Sequence, residues 1–491
     1  MILQIIYWML STLLLNPFPG DAMMTSKVPT AGYFPKSFPR DPVDVNIYLE
    51  HILIGQILEP LFLTALDGTT IPGVAESWEV SRDRLRINVS IRPGLRFSNG
   101  VEITADDVRY SILRHLETNR SQSREYLAAI KDAEVLSPLK IAFHLSRPCV
   151  AFFKILSRDH FGIVPNHWSF DKGASEPYVA SGPYRAVREN GSWFLLRNSF
   201  YREAEKTGIG KWRIVQSDLK EIDSEVPDYI PFGVTAQLER IKLTPAFVEK
   251  NLKEEKINHF FQVSSWWYRR EHKDNSPARK ALGMLVMRDF LEIVAKERGL
   301  RPATGLIPMG IQGYLPERPG VNPPLEAMRK VANRRFLVVA LAREYFLLNN
   351  PVLIAKIEHR FKVKLEIVSV DAVNLSKIRA LDPDILTVGF AGGFYDPEGF
   401  IGIVASLLGL SLEDVLSDVL ADYKIASDEE NWSQRSKLFQ SFGRKLQESY
   451  LMVPGWKFDV SRYYDKGLTP GTNNLSYTPK LSIVHLRKEV E

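Results

Sequence analysis

At 491 residues the chain has material for two to four domains, and its 45% hydrophobic and 25% charged residues are ordinary for a soluble globular protein. The net charge of +5 comes from mixed clusters, with Arg269-Arg270 and Arg334-Arg335 beside acidic residues, which excludes the concentrated basic stripe that nucleic-acid binding requires. The single cysteine, Cys149, excludes an internal disulfide and any metal or redox site built on clustered thiolates. The apolar Val-Ala-Phe-Phe that follows Cys149 predicts a buried, inert thiol, since apolar surroundings disfavour the thiolate.

The N-terminus reads as a targeting segment. Ile2 to Leu15 is almost wholly apolar, Asn16-Pro17-Phe18-Pro19-Gly20 breaks the run, and Asp21-Ala22 supplies a small residue for cleavage. Fourteen helical residues reach about 21 Å, short of a ~30 Å hydrocarbon core, so a signal peptide over residues 1–22 is expected rather than a membrane span. No Lys or Arg precedes the apolar run, which leaves the α-amino group as its only positive charge. No cysteine lies near the cleavage point, so the expectation is an exported, periplasmic protein that is not a lipoprotein.

Along the rest of the chain, Ile47 to Leu63 patterns as helix running into strand. Leu85 to Ile91 alternates apolar and polar residues, the period of a half-buried strand. Turn signals at Arg92-Pro93-Gly94 and Ser98-Asn99-Gly100 precede Thr104, a good helix N-cap with Asp106 and Asp107 in the first turn. Within the block Tyr184 to Asn198, Ser192 to Leu196 reads as a strand, while Lys206 to Arg270 gives a weak, irregular signal. Ala278 to Ala295 reads as an amphipathic helix. Phe336 to Leu341 is an apolar strand of the kind covered on both faces. Asn350-Pro351 opens a helix through Phe361 and Lys364 to Val370 is a strand, which together make a strand–helix–strand unit. A strand from Asp384 to Gly389, a long helix from Trp432 to Glu448 and a last strand from Leu481 to Leu486 complete an α/β chain.

No Walker-type loop, strand-linked GxGxxG, HExxH or GxSxG occurs, and His160 and His167 lie at a spacing no common ligand motif uses. Carboxylates such as Glu59 and Asp396 have no catalytic partner that the sequence identifies. The expectation is a protein without catalytic residues, metal site or cofactor.

Several segments, in order, resemble the oligopeptide- and dipeptide-binding proteins of ABC importers. Ile57-Leu58-Glu59-Pro60-Leu61, Asp67-Gly68, Pro72 to Ser81 (Pro-Gly-Val-Ala-Glu-Ser-Trp-Glu-Val-Ser) and Ile91 to Gly100 lead into Ile103-Thr104-Ala105-Asp106-Asp107-Val108. Ser181-Gly182-Pro183-Tyr184, Arg197-Asn198, Ala278 to Leu282, Gly389-Phe390-Ala391, Tyr395-Asp396-Pro397 and Val453-Pro454-Gly455-Trp456 follow. The matches run from about Asp41 to Leu486.

The resemblance implies an α/β, two-lobed periplasmic-binding-protein (flytrap) fold with an extra small domain. Lobe I would be discontinuous (23–65, 179–266 and 455–491), the small domain would be 66–178 and lobe II 267–454. It implies capture of a peptide or peptide-like solute by a monomeric binding component, which delivers it to ABC permease subunits with separate ATPase subunits. A non-peptide solute (sugar, opine, metal chelate, muropeptide) or a sensory role without transport is the alternative. By similarity the ligand's main chain would meet Glu59, Pro60 and Leu61 in one lobe and Gly389, Phe390 and Ala391 in the other. Tyr110 matches a tyrosine that reaches the cleft, and Trp266 and Trp267 fall at the lobe crossing, where they would floor the cleft or pack the hinge. Peptide-binding relatives carry an aspartate for the ligand's α-ammonium where this chain has Gly393. The expectation is that a free peptide N-terminus is not anchored in the usual way, with Asp396, beside Tyr395, as the possible substitute.

Overall fold

The structure, a computed structural model, describes residues 28–34, 41–45, 48–65, 69–118, 124–169, 176–216, 226–233, 245–268, 276–320, 334–370, 375–391, 396–408, 410–416, 418–470 and 486–488. The expected signal segment lies outside them. Among these residues no helix is long and apolar enough to cross a membrane.

An eleven-stranded sheet runs through the molecule. Its order is Lys364–Val370, Arg335–Leu341, Ile385–Ala391, Lys253–Trp267, Met452–Tyr464, Tyr229–Gly233, Thr30–Phe34, Lys211–Gln216, Ser192–Arg197 and Tyr184–Glu189, with Arg301–Pro302 attached to Met452–Tyr464. The first three strands are mutually parallel, the signature of helical crossovers. Phe336, Val338 and Ala340 face one apolar cluster and Val339 and Leu341 face another. The continuous apolar run in this strand is thus explained by cover on both sides. Asn350 caps the helix Pro351–Phe361 by accepting from the Val352 and Leu353 N–H groups, as its position before proline predicts.

The helix expected to be amphipathic, Pro277–Glu297, is instead buried continuously from Arg279 to Met287. It is packed between strands and neighbouring helices, and the ends of its charged residues are paired: Arg279 with Asp384 at 3.0 Å and Lys280 with Asp418 at 3.0 Å.

The weak stretch Lys206 to Arg270 contains the longest strand of the molecule among the described residues, Lys253–Trp267. It has no simple period because its two ends live in different surroundings. The Lys253–Glu255 end is partly exposed and carries ion pairs such as Glu255–Arg462 at 2.7 Å, whereas residues 262–268 are buried without a break. This strand pairs along its length with Met452–Tyr464, with register shifts between Ile257 and Phe261 and between Gln262 and Ser264. At one end the pair joins Tyr229–Gly233, and at the other it joins Ile385–Ala391. Two long strands therefore carry the sheet from one half of the molecule to the other. The expected boundaries at 266/267 and 454/455 fall inside these unbroken strands.

A separate four-stranded antiparallel sheet, in the order Ala75–Val80, Arg86–Ile91, Lys140–Leu145 and Ile130–Ser137, packs under the helix Ala105–Glu117. Ile87, Val89 and Ile91 point inward as their alternation predicts, and truncating one to alanine would cost about 2–4 kcal/mol. The Thr104 N–H and hydroxyl both donate to the Asp107 carboxylate, at 2.7 and 2.8 Å, which closes the helix start.

Candidate ligand-binding site

The strand Ile385–Ala391 leaves the sheet at the carboxyl ends of the parallel strands, where open α/β sheets place ligands. Gly389, Phe390 and Ala391 pair with Val263, Gln262 and Phe261 on one side. On the other side Arg335–Leu341 covers only Ile385 to Thr387, so Gly389–Ala391 runs past the end of that neighbour. Gly389 is half-buried between the buried Val388 and Phe390. An extended chain could add hydrogen bonds along this edge, and a glycine lets another backbone come close. Phe390 itself is core, 3% exposed and edge-on to Phe400. Gly393 and Tyr395 lie outside the described residues.

The facing segment behaves differently. Glu59, Pro60 and Leu61 are buried, and their three carbonyls and the Glu59 N–H are already engaged. The Glu59 N–H donates to Ser181 Oγ at 3.0 Å and its carbonyl accepts from Ile163 at 2.9 Å. The Pro60 and Leu61 carbonyls accept from Val74 and Ala75 at 3.1 and 2.9 Å, and Pro60 has no N–H to offer. This backbone fastens the first half of the large sheet to the small-sheet body, because buried amide groups must be paired within the protein.

The Glu59 side chain is also committed. Arg202 Nη2 stands 2.5 Å and Nε 3.1 Å from Glu59 Oε1. Burial pushes the Glu59 carboxyl upward in spite of this guanidinium.

Tyr110 is half-buried. Its hydroxyl donates to the Trp168 carbonyl at 2.6 Å and the Arg114 guanidinium lies 5.1 Å from its ring, so it is held as a packing residue. Trp266 and Trp267 are 1% and 4% exposed and belong to clusters on opposite faces of the sheet. Trp266 donates to Ser264 Oγ at 2.7 Å, and Trp267 lies edge-on to Phe336. Both serve the core of the second half, and alternation along a strand is the reason they cannot share a face.

Asp396 is 2% exposed and has no charge to spare. It accepts from Arg435 Nη1 and Nη2 at 2.8 and 3.0 Å and lies 3.5 Å from Lys154 Nζ. Arg435 also holds Glu398 at 2.9 Å and donates to Gln312 at 2.7 Å. Burial, and then the Asp396 charge, push the Glu398 carboxyl up to about 7. The Asp396 carboxylate, the possible substitute for the missing ammonium partner, is thus engaged from within the chain by Arg435. No sequence signal marked Arg202, Glu398, Arg435 or Lys154, because each is defined by a partner 30 or more positions away.

Three further residues the sequence left scattered meet at the junction of the large-sheet helix Tyr48–Ile57 and the small-sheet body. His51 and His160 approach with Nδ1 atoms 3.3 Å apart, and His115 Nε2 lies 3.1 Å from the His160 carbonyl. Burial and then the Arg158 charge push His51 down to about 3, and burial and then Arg114 do the same to His115. Among the described residues no group of three His, Cys, Asp or Glu side chains converges as a metal site would. The Cys149 side chain is partly exposed, yet burial and then the Glu398 charge raise its thiol well above the ordinary range. A cavity of about 560 Å³ lined by Arg334, Arg335, His359, Lys362 and Lys364 sits at the opposite strand ends from Gly389–Ala391.

Residues 69–333 match the family of bacterial extracellular solute-binding proteins, family 5. The chain belongs to that family. Among curated proteins it is similar to the glutathione-binding protein GsiB of Salmonella paratyphi A, 25% identical over 293 residues. That alignment covers 56% of each chain, so this chain spans little more than half the length of the curated relatives it matches. Haemophilus influenzae OppA in complex with the peptide RPPGFSPFR has the same fold, at a TM-score of 0.75 and 16% identity, with 95% of this chain and 100% of that one covered. So does the Agrobacterium binding protein AgaA in complex with agropinic acid, at a TM-score of 0.75 and 18% identity over 94% and 98% of the two chains. The two-lobed α/β architecture is thereby established for this family 5 protein.

Proposed function

We propose that the protein is the exported, periplasmic solute-binding component of an ABC importer, which captures a peptide or peptide-like solute between its two halves. It would deliver that solute as a monomer to permease subunits served by separate ATPase subunits. The observation that carries the reading is that Gly389–Ala391 extends beyond its parallel neighbour Arg335–Leu341 at the carboxyl ends of the parallel strands, where an extended ligand could add main-chain hydrogen bonds. Lobe I (23–65, 179–266, 455–491), the small domain (66–178) and lobe II (267–454) move as bodies in this reading. The hinge is the bulged middle of the two long strands, between Ile257 and Ser264.

Gly393 and the engagement of Asp396 by Arg435 both favour a ligand whose end near this strand carries no free ammonium. An ammonium placed there would lack a carboxylate, and an unpaired buried charge typically costs about 3–5 kcal/mol. The test is a thermal-shift series on the full exported chain with dipeptides to pentapeptides, free and N-acetylated. Blocked peptides should stabilise it by about 2.7 kcal/mol at a hundredfold excess over their Kd, and free ones at the same concentration by less. A preference for free N-termini would overturn the assignment at Gly393. Stabilisation by opines or sugars and by no peptide would make the solute a non-peptide, the second reading that the same two residues favour.

A further inference from the structure

The small-sheet body touches the second half of the molecule directly, on the helix that follows the candidate ligand strand and packs against it. The helix Glu398–Leu408 carries a glycine, Gly402, in its interior, where glycine is less favourable than alanine by roughly 1 kcal/mol. The reason stands opposite: the Tyr126 ring lies so close that a Cβ at Gly402 would overlap its Cε1 and Cδ1 atoms. The Tyr126 hydroxyl reaches the Gly399 carbonyl at 3.4 Å, and the Arg158 guanidinium lies over the ring at 4.8 Å. Around this seat stand three charge contacts between the same two bodies. Lys154 approaches Asp396 at 3.5 Å, Arg147 approaches Asp428 at 3.3 Å, and Arg84 approaches Glu430 at 2.5 Å. Tyr126 and Lys154 belong to the body built on residues 61–163, and their partners to the body whose core spans 266–452.

We propose that Tyr126 seated on Gly402, with Lys154, Arg147 and Arg84 around it, is a latch that stabilises closure of the two bodies and thereby sets ligand affinity without touching ligand. Closure and binding are linked: a ligand that binds only the closed form has an apparent affinity scaled by the closed fraction. Tyr126 and Gly402 are thus positioning residues. Neither lies on the Gly389–Ala391 strand itself, although the Gly402 helix packs against it through Phe400 and Phe390. The purpose of the latch rests on the capture reading, but its existence can be tested with no solute present, so the two can fail separately.

The experiment is electron–electron distance measurement between spin labels at the exposed positions Glu79→Cys and Lys437→Cys, in a Cys149→Ser background, with no solute added. Gly402→Ala should shift the population toward longer distances by about tenfold, the effect of one overpacked methyl. The same substitution made on top of Tyr126→Ala should produce no further shift. Thermal stability should not fall with Gly402→Ala, because alanine is the better helix former, and a merely structural role would not move the distances. An unchanged distribution in Gly402→Ala, or an equal shift with and without Tyr126, overturns the latch.

Discussion

Glu59 with Arg202 in the first half and Asp396 with Arg435 in the second are both carboxylates buried against a guanidinium, yet they are used differently. The first is closed inside one body: Arg202 grips one carboxylate that also accepts from the Tyr201 hydroxyl at 3.5 Å, and burial shifts its carboxyl upward. The second is a shared network in which one guanidinium serves Asp396, Glu398 and Gln312, and Lys154 arrives from another body. A closed pair fixes local structure, whereas a network with a member on each side can report whether the two sides are together. Neither is strong evidence for stability as it stands, since desolvation offsets attraction, but removing one member is costly.

That difference predicts an order of effects. Arg435→Met should be the most damaging, by about 3–5 kcal/mol in urea unfolding, because it strands two carboxylates at once; adding Glu398→Gln should recover part of the loss. A wild-type urea midpoint in Arg435→Met would remove the contrast altogether. Arg202→Met should cost less, about 2–3 kcal/mol, because Glu59 can take up a proton and Arg202 retains some solvent.

Acid separates the halves further. The folded histidines at 51, 115 and 160 stay neutral where unfolded ones protonate, so the unfolded chain binds more protons below about 6.5. Their contribution is complete above that pH and is lost as pH falls, toward about 3 for His51 and His115, at up to roughly 1.4 kcal/mol per unit for each histidine. Glu398 in the second half has the opposite sign: its contribution is full below about 4.5 and is lost as pH rises through about 7. His115→Gln should flatten the acid limb between pH 6.5 and 5, and Glu398→Gln should flatten the limb between 5 and 7, both read from urea midpoints. Exchange of these two phenotypes would show that the assignment of sign to region is wrong. The smallest effect belongs to the exposed pair: Arg84→Ala should change stability by less than about 1 kcal/mol, and less still in high salt.

Much of the fold was legible because it is written locally. The cap at Thr104, the alternation to Ile91, proline after Asn350 and the helix Trp432–Glu448 each depend on residues a few positions apart, and each stands where its pattern places it. The strand Lys253–Trp267 was not legible, since its ends sit in different environments and no single period describes both. Within the candidate site, the sequence singled out Gly389–Ala391 and the glycine at 393, on which the proposed ligand preference rests. It could not say that the Glu59 N–H and the Glu59, Pro60 and Leu61 carbonyls are taken by Ser181, Ile163, Val74 and Ala75, or that Asp396 is held by an arginine 39 positions on. Patterning thus determined element type and order, which short-range sterics and periodicity fix. Only the tertiary structure decided which polar groups remain available to a solute, because burial and long-range partners allocate them.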